Sequence, residues 1–300
     1  MATTEVELPP ARYEYGGDEF VFVEISEEMS LEANFKAMMV TSALAGERLD
    51  GVVDICPSNA SYMIRVDPDV LDPRDLVKEL RRLDEQAADL PDDFVLETRI
   101  VDVPVFYNDP WTHEALMRFR DRHQDPDGTD LDYAARINGF DSVEAFIEHH
   151  SGAPYIVTML GFVPGLPFCY QLEPRDRQVQ VPKYVRPRTF TPERAFGMGG
   201  AFSVVYPVQG AGGYQLFGIA PAPVLNTTQD HPDFEHSIVF PKAGDILRFR
   251  SIDRAEFDST RSVVESGEFR YQQRPVEFHP AQFLHDPQGV NRSLLEVLYR

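Results

Sequence analysis

Eleven residues from Lys183 to Glu193, KYVRPRTFTPE, gather an amine, two guanidinium groups, a phenol, hydroxyls and a carboxylate within an acidic chain. Lys183, Tyr184, Arg186, Arg188, Thr189, Thr191 and Glu193 are the polar members. Gly197, Gly199 and Gly200 follow, and Gly210, Gly212 and Gly213 precede Tyr214 and Gln215. Guanidinium groups bind carboxylates through paired N–H donors, so this stretch suits a planar polar ligand or a carboxylate. The same spacing also suits a rim of surface ion pairs, and the residues alone leave both open.

The elements that must position these groups are short. Glycine tolerates positive φ and close backbone approach, so the two glycine clusters read as sharp corners of a β structure. Short apolar runs at 155–160, 201–206, 213–218, 237–240 and 245–249, separated by Gly or Pro, argue for a closed or nearly closed β-barrel.

The run K-Y-x-x-x-R-T-F-T-P-E, with G-x-G-G-A and G-x-G-G-Y-Q after it, resembles the carboxyltransferase region of urea carboxylases. Upstream, LGFVPGLPF at 160–168 resembles allophanate hydrolase subunit 1, the B component of 5-oxoprolinase and the sporulation-kinase inhibitors. The resemblance covers roughly residues 20–283 and is sharp between 154 and 218. It implies that the second domain is a cyclophilin-like barrel, and that 269–300 is the segment following it. The chain departs from the urea carboxylase pattern after Gly218, where Ile219 and Ala220 stand in place of Arg-Thr. The LGFVPGLPF run is nearer to the lactamase branch.

Ahead of the barrel, residues 1–19 carry Pro9, Pro10, Gly16 and Gly17 among acids and read as a loose arm. FVFVEI at 20–25 is the first strand, and Ser30 caps a helix with Leu31, Phe35, Met38 and Met39 on its core face. Strands at 51–56 and 61–66 follow, with Pro57, Ser58 and Asn59 as their turn. Asp72 caps a helix opened by Pro73, with Leu76, Leu80 and Leu83 buried, and 94–106 is a last strand. This order is the ferredoxin-like split βαβ arrangement.

Residues 108–152 read as a helical linker, with a capping box at Asp141 and Glu144. Asp125 to Asp132 reads as an exposed acidic loop lacking the calcium-loop pattern. Asp253 and Glu256 open a last capped helix ending near Gly267. The whole is an α+β chain with a ferredoxin-like domain at 1–107, the linker at 108–152, a cyclophilin-like barrel at 153–252 and a helix and strand extension at 253–300.

The net charge is −21, from 28 basic and 49 acidic residues. Such a surface repels nucleic acid and anionic membranes, so neither is an expected partner. It also fits a protein soluble in high salt. The acidic N-terminus lacks a signal-peptide pattern, no apolar run approaches a membrane span, and a cytoplasmic location is expected. Cys56 and Cys169 lack metal or redox spacing and read as buried free thiols. Adjacent His149 and His150 make a poor metal pair and read as a solvated helix end; no metal site is assigned.

Urea carboxylases pass a carboxyl group from carboxybiotin to a urea nitrogen, and 5-oxoprolinases open a lactam at the expense of ATP. The resemblance therefore implies Lys183, Arg186 and Arg188 as stabilisers of a carboxylate or oxyanion, with Glu193 as a base or an arginine's partner. Lys183, Arg188 and Glu193 are the catalytic candidates. The substrate-binding candidates are Tyr184, Arg186, Thr191, Gly199, Gly200, Tyr214 and Gln215. The chain has no phosphate-binding loop, biotin-attachment Met-Lys pair or G-x-S-x-G elbow. ATP and biotin are therefore expected on other polypeptides: a larger subunit resembling the second half of the carboxyltransferase or the C component of 5-oxoprolinase, with a biotin carboxylase and biotin carrier. Three functions follow: a subunit of a biotin-dependent, urea carboxylase-like carboxyltransferase; the B component of an ATP-dependent, 5-oxoprolinase-like lactam hydrolase; or a regulator of the kinase-inhibitor kind.

Overall fold

The computed structural model describes residues 8–87, 91 and 93–300. The chain divides into two compact units, 1–97 with 277–290, and 98–276 with 291–300.

In the first unit, β1 (Arg12–Gly16), β2 (Phe20–Glu24), β3 (Val52–Pro57) and β4 (Ser61–Val66) form an antiparallel sheet in the order β1-β2-β4-β3. Side chains alternate across a strand, and β2 and β4 bury every second one: Val21 and Val23, then Tyr62, Ile64 and Val66. Helix α1 (Leu31–Glu47) starts where the Ser30 side chain accepts from the Ala33 N–H. Helix α2 (Pro73–Gln86) starts at Asp72, which accepts from the Arg74 N–H, with Pro73 at the first helical position. Ala33, Ala37, Val40 and Leu44 of α1 and Leu76, Leu80 and Leu83 of α2 complete that core.

Two expectations change here. The arm at 1–19 contains β1, held in a hairpin with β2, where Gly17 supplies a φ of 70° in the turn. The run at 94–106 is not the last strand of this sheet: β5 (Leu96–Tyr107) belongs to the large sheet of the second unit. The small sheet therefore keeps one split βαβ unit, β2-α1-β3 with β4 between the two parallel strands, while β1 takes the edge beside β2 and the expected last strand is absent from it. The physical reason is visible in β5 itself, where Ile100 to Val105 is buried on both faces. A strand buried on both sides needs a central position, which a one-sided sheet cannot give it.

The second unit carries an eight-stranded sheet built from β5, β6 (Tyr155–Leu160), β7 (Pro167–Gln171), β9 (Ala195–Gly199), β10 (Phe202–Val205), β12 (Gln215–Ile219), β13 (Ile246–Ser251) and β14 (Gln273–Phe278). Its order is β12-β9-β10-β7-β6-β13-β5-β14, and β12 also pairs with β5, which closes seven strands into a ring. A ribbon of β8 (Arg188–Thr191) and β11 (Gly210–Gly212) stands apart from it. Phe196, Phe217, Phe249, Tyr155, Val103 and Val157 fill the core. The expected strand at 237–240 is a bridge between Leu225 and Val239.

Residues 108–152 are part of this unit rather than a linker between units. Helices α3 (Pro110–Arg118), α4 (Asp130–Ile137) and α5 (Val143–His150) run through them, and Leu131, Ala134, Ala135 and Phe146 enter the barrel's core. The expected acidic loop folds around Thr129, which caps α4 reciprocally with Asp132. The cap of α5 is Ser142 rather than Asp141, one residue on from the expected capping box. His150 is no solvated helix end: it is fully buried, its Nδ1 3.1 Å from the Tyr107 hydroxyl and its Nε2 3.1 Å from the Ser203 hydroxyl. Cys169 is a buried free thiol as expected, whereas Cys56 is only half-buried. Helix α6 (Arg254–Glu265) begins at Asp253, which accepts from the Glu256 N–H.

Candidate ligand-binding site

The strap from Lys183 to Pro187 leads into β8, and its side chains divide between solvent and interior. Tyr184, Arg188 and Thr191 turn inward, with 3%, 0% and 0% of their surface exposed. The Arg188 guanidinium carbon lies 4.5 Å from the centre of the Tyr184 ring, and its Nη2 lies 3.4 Å from the Thr191 hydroxyl. Gly212 of the facing strand sits where a Cβ would approach the Tyr206 hydroxyl to 2.6 Å and the Thr191 hydroxyl to 2.8 Å. The ribbon can close over these hydroxyls only with glycine there.

Behind Tyr184 lies a buried polar network. The Tyr184 hydroxyl donates to Asp130 Oδ1 at 2.5 Å, and the Leu216 N–H donates to Asp130 Oδ2 at 2.5 Å. His123 Nε2 faces Asp130 Oδ1 at 3.1 Å and Gln215 Oε1 at 3.0 Å, and its Nδ1 lies 2.6 Å from the Asp125 carbonyl. Burial works against charge on His123, but Asp130, the Asp125 carbonyl and Gln215 outweigh it and raise its pKa. Gln215 donates to the Pro182 carbonyl at 2.9 Å and to Gln124 Oε1 at 3.2 Å, so its amide is committed within the fold. Burial, reinforced by the Asp130 charge, drives the Tyr184 hydroxyl's pKa upward.

Asp130 reaches this network because Thr129 caps α4 and leaves Asp130 at the helix's first position, against β12. The preceding turn holds itself: Asp125 accepts from the Asp127 and Gly128 N–H groups and from Arg136, and its pKa is lowered to about 2. Beside Asp130 is a cavity of about 10 Å³ lined by Asn108, Asp109, Thr112, Leu116 and Leu216. That is room for about one water. Burial raises the pKa of Asp109, while the Thr112 and Trp111 donors oppose the shift.

The other candidates are placed differently. Tyr214 is buried, and the Lys183 ammonium sits 5.2 Å from its ring centre. Gly199 backs onto the same ring, where a Cβ would come within 2.3 Å of it. Gly200 turns the β9–β10 hairpin at φ 62°. Arg186 faces solvent and pairs with Asp121 at 3.0 Å, and Glu193 pairs with Arg194 at 3.0 Å on the surface. The structure thus gathers Tyr184, Arg188, Thr191, Tyr214 and Gln215 and leaves Arg186 and Glu193 outside. Sequence reasoning missed His123, Gln124, Asp130 and Tyr206. The signal for Asp130 was present in the Thr129–Asp132 cap, which marks a helix start in what reads as a loop.

Residues 11–234, which hold every group of this network, match the family model of the carboxyltransferase domain, subdomain C and D. The chain belongs to that family. Among relatives of this carboxyltransferase C and D domain is the B component of 5-oxoprolinase from Bacillus subtilis, 26% identical over 80% of this chain and 92% of the relative. Urea amidolyase of Saccharomyces cerevisiae is 26% identical over 70% of this chain but only 12% of its own length. The urea amidolyase structure from K. lactis superposes over 100% of the domain and 18% of that chain, with a TM-score of 0.78 and 20% identity. The urea carboxylase of Kluyveromyces lactis does so over 98% and 27%, with a TM-score of 0.76 and 20% identity. The chain therefore shares their mixed α+β fold and spans a minor part of their length. Among the described residues, no helix is long and apolar enough to cross a membrane.

Proposed function

We propose that this chain is a non-autonomous subunit of a biotin-dependent carboxyltransferase that carboxylates a urea-like or amide substrate together with a larger polypeptide. The observation that carries the reading is the buried cluster of Arg188, Tyr184, Asp130, His123 and Gln215 inside the family-matched region. It presents a cation, hydroxyls and a fixed hydrogen-bond network, the equipment for holding a planar group and the charge that develops on it.

In this reading Arg188 and Lys183 stabilise anionic oxygen, while Tyr184 and Thr191 orient the ligand. Gln215, already committed on both sides of its amide, is a positioning residue. Arg186 and Glu193 lie on the surface a partner would meet. Biotin and ATP are supplied by the partner polypeptides. The closed ring of strands supports a cyclophilin-like description of the barrel.

A specific observation favours a second reading. The match to a 5-oxoprolinase B component runs over 92% of that relative's length, which supports ATP-dependent lactam opening. Co-expression with the larger partner, followed by assays of ATP- and amide-dependent turnover with and without bicarbonate and biotinylated carrier, separates the two. Dependence on both additives is the expected result. Turnover without them assigns the lactam reaction, and a complex that binds a regulatory protein but never turns over assigns the regulator.

A further inference from the structure

Among the described residues Arg188 is the largest fully buried side chain, and its Nε and Nη1 donors have no partner there. Its remaining contacts are weak: a 3.4 Å approach of Nη2 to the Thr191 hydroxyl and the face of the Tyr184 ring. No carboxylate among the described residues pairs with it. The neighbouring Asp130 is already engaged by the Tyr184 hydroxyl, the Leu216 N–H and His123. A buried guanidinium with open donors and no counter-charge costs several kcal/mol, and folded proteins leave such groups only where something else supplies the charge.

We propose that Arg188 is the anchor of a binding site for one planar carboxylate-type anion, beneath the Lys183–Pro187 strap and the β8–β11 ribbon. A carboxylate or bicarbonate accepts two parallel N–H bonds from one edge of a guanidinium, a fit that chloride lacks. Thr191 and Tyr206, whose hydroxyls both lie against Gly212, are the further hydrogen-bonding groups at hand. Entry of an anion requires the cover to open. The ribbon is a two-stranded sheet with an irregular register between Gly210 and Gly212, and the strap is held by Tyr184, bonded to Asp130 and to the Gly213 carbonyl, and by contacts from 121–124, including Arg122 to the Pro187 carbonyl at 2.5 Å and Arg186 to Asp121. Two-stranded ribbons are marginally stable alone. This site names the ligand of the proposed carboxyltransferase centre and rests on that reading for its place in the reaction, but the binding belongs to this chain alone.

The test is thermal unfolding of the full chain with potassium acetate or bicarbonate against potassium chloride at matched ionic strength, since salt alone screens a net charge of −21. Wild-type protein is expected to gain on the order of 5 °C over chloride when the anion is a hundredfold above its Kd. Arg188→Met should gain nothing over chloride and should melt no lower than wild type without anion, because it no longer buries an unpaired charge. Equal responses in the two proteins overturn the proposal, as does an anion-insensitive wild type. Should Arg188→Met fail to fold, calorimetric titration of wild type with acetate decides: saturable one-to-one binding is expected, and its absence overturns the site. Arg188→Lys, which keeps the charge and loses the fork, should weaken that binding at least about tenfold. Tighter binding of acetate marks a substrate carboxylate as the occupant, and tighter binding of bicarbonate marks the carboxyl group under transfer. Anion binding without turnover in the complex leaves the site standing and removes the carboxyltransferase reading; turnover without anion binding does the reverse.

Discussion

His123 and His150 are both buried in the second unit, and their surroundings give them opposite chemistry. His150 is walled by the rings of Tyr107, Phe146, Tyr155, Phe196 and Phe217, and its two nitrogens meet hydroxyls only. Burial pushes its pKa down to about 3, so the ring is neutral. His123 faces Asp130, a carbonyl and an amide oxygen, and is held towards its charged form. Burial acts on both; the partner decides the sign. The polar side of the unit is thus built around charge and the aromatic side against it, and the unpaired Arg188 lies on the side built for charge.

The largest expected difference between the two regions is in acid. The pKa of His150 is lower folded than unfolded, so its contribution is fully present above pH about 6.5 and is lost as pH falls towards about 3. Between pH 7 and pH 4, wild type should lose about 3 kcal/mol more than His150→Gln in urea denaturation. An equal loss in both proteins would mean that the ring is not sealed. Next in size is Asp130→Asn, whose single amide oxygen can accept from the Leu216 N–H or from the Tyr184 and His123 side but not from both, and which removes the carboxylate that holds His123 towards its charged form. It should cost about 2–3 kcal/mol at pH 7, and an unchanged denaturation midpoint would break the picture of a coupled network. Smallest is the alkaline limb. The raised pKa of His123 makes its contribution complete below pH about 6.5 and progressively lost as pH rises through the folded value. Wild type should show this decline, and His123→Gln should not.

The same contrast explains what could be read without coordinates. Local signals held: Ser30, Asp72 and Asp253 cap their helices, because each cap is decided within three residues. The family motif placed Tyr184, Arg188, Thr191 and Gln215 together. What failed depended on distant partners. Asp130 looked like one acid in an exposed run, yet its partners Tyr184 and Leu216 lie 54 and 86 residues away. His123 carried no local mark of its pairing with Gln215, 92 residues on. His150 looked like a solvated helix end because a sequence shows the helix but not the five rings that cover it. Arg186 has the same residue type as its buried neighbour Arg188 and differs only in the direction it faces, which spacing within an irregular strap does not determine.

The pairing of β5 with β13 has a consequence for how the protein is made. Ile100 is in register with Ile246 and Val105 with Ser251, in parallel, and β12 closes against Phe106 and Tyr107. A nascent chain that has emerged only as far as β12 holds a strand buried on both faces in the finished protein and still without two of its neighbours, β13 and β14. Ring closure must wait for the ribosome to deliver β13, and such long-range pairing is slow and exposed to aggregation. During that interval the mostly apolar stretch from Ile100 to Val105, interrupted by Asp102, is the segment a chaperone would be expected to hold.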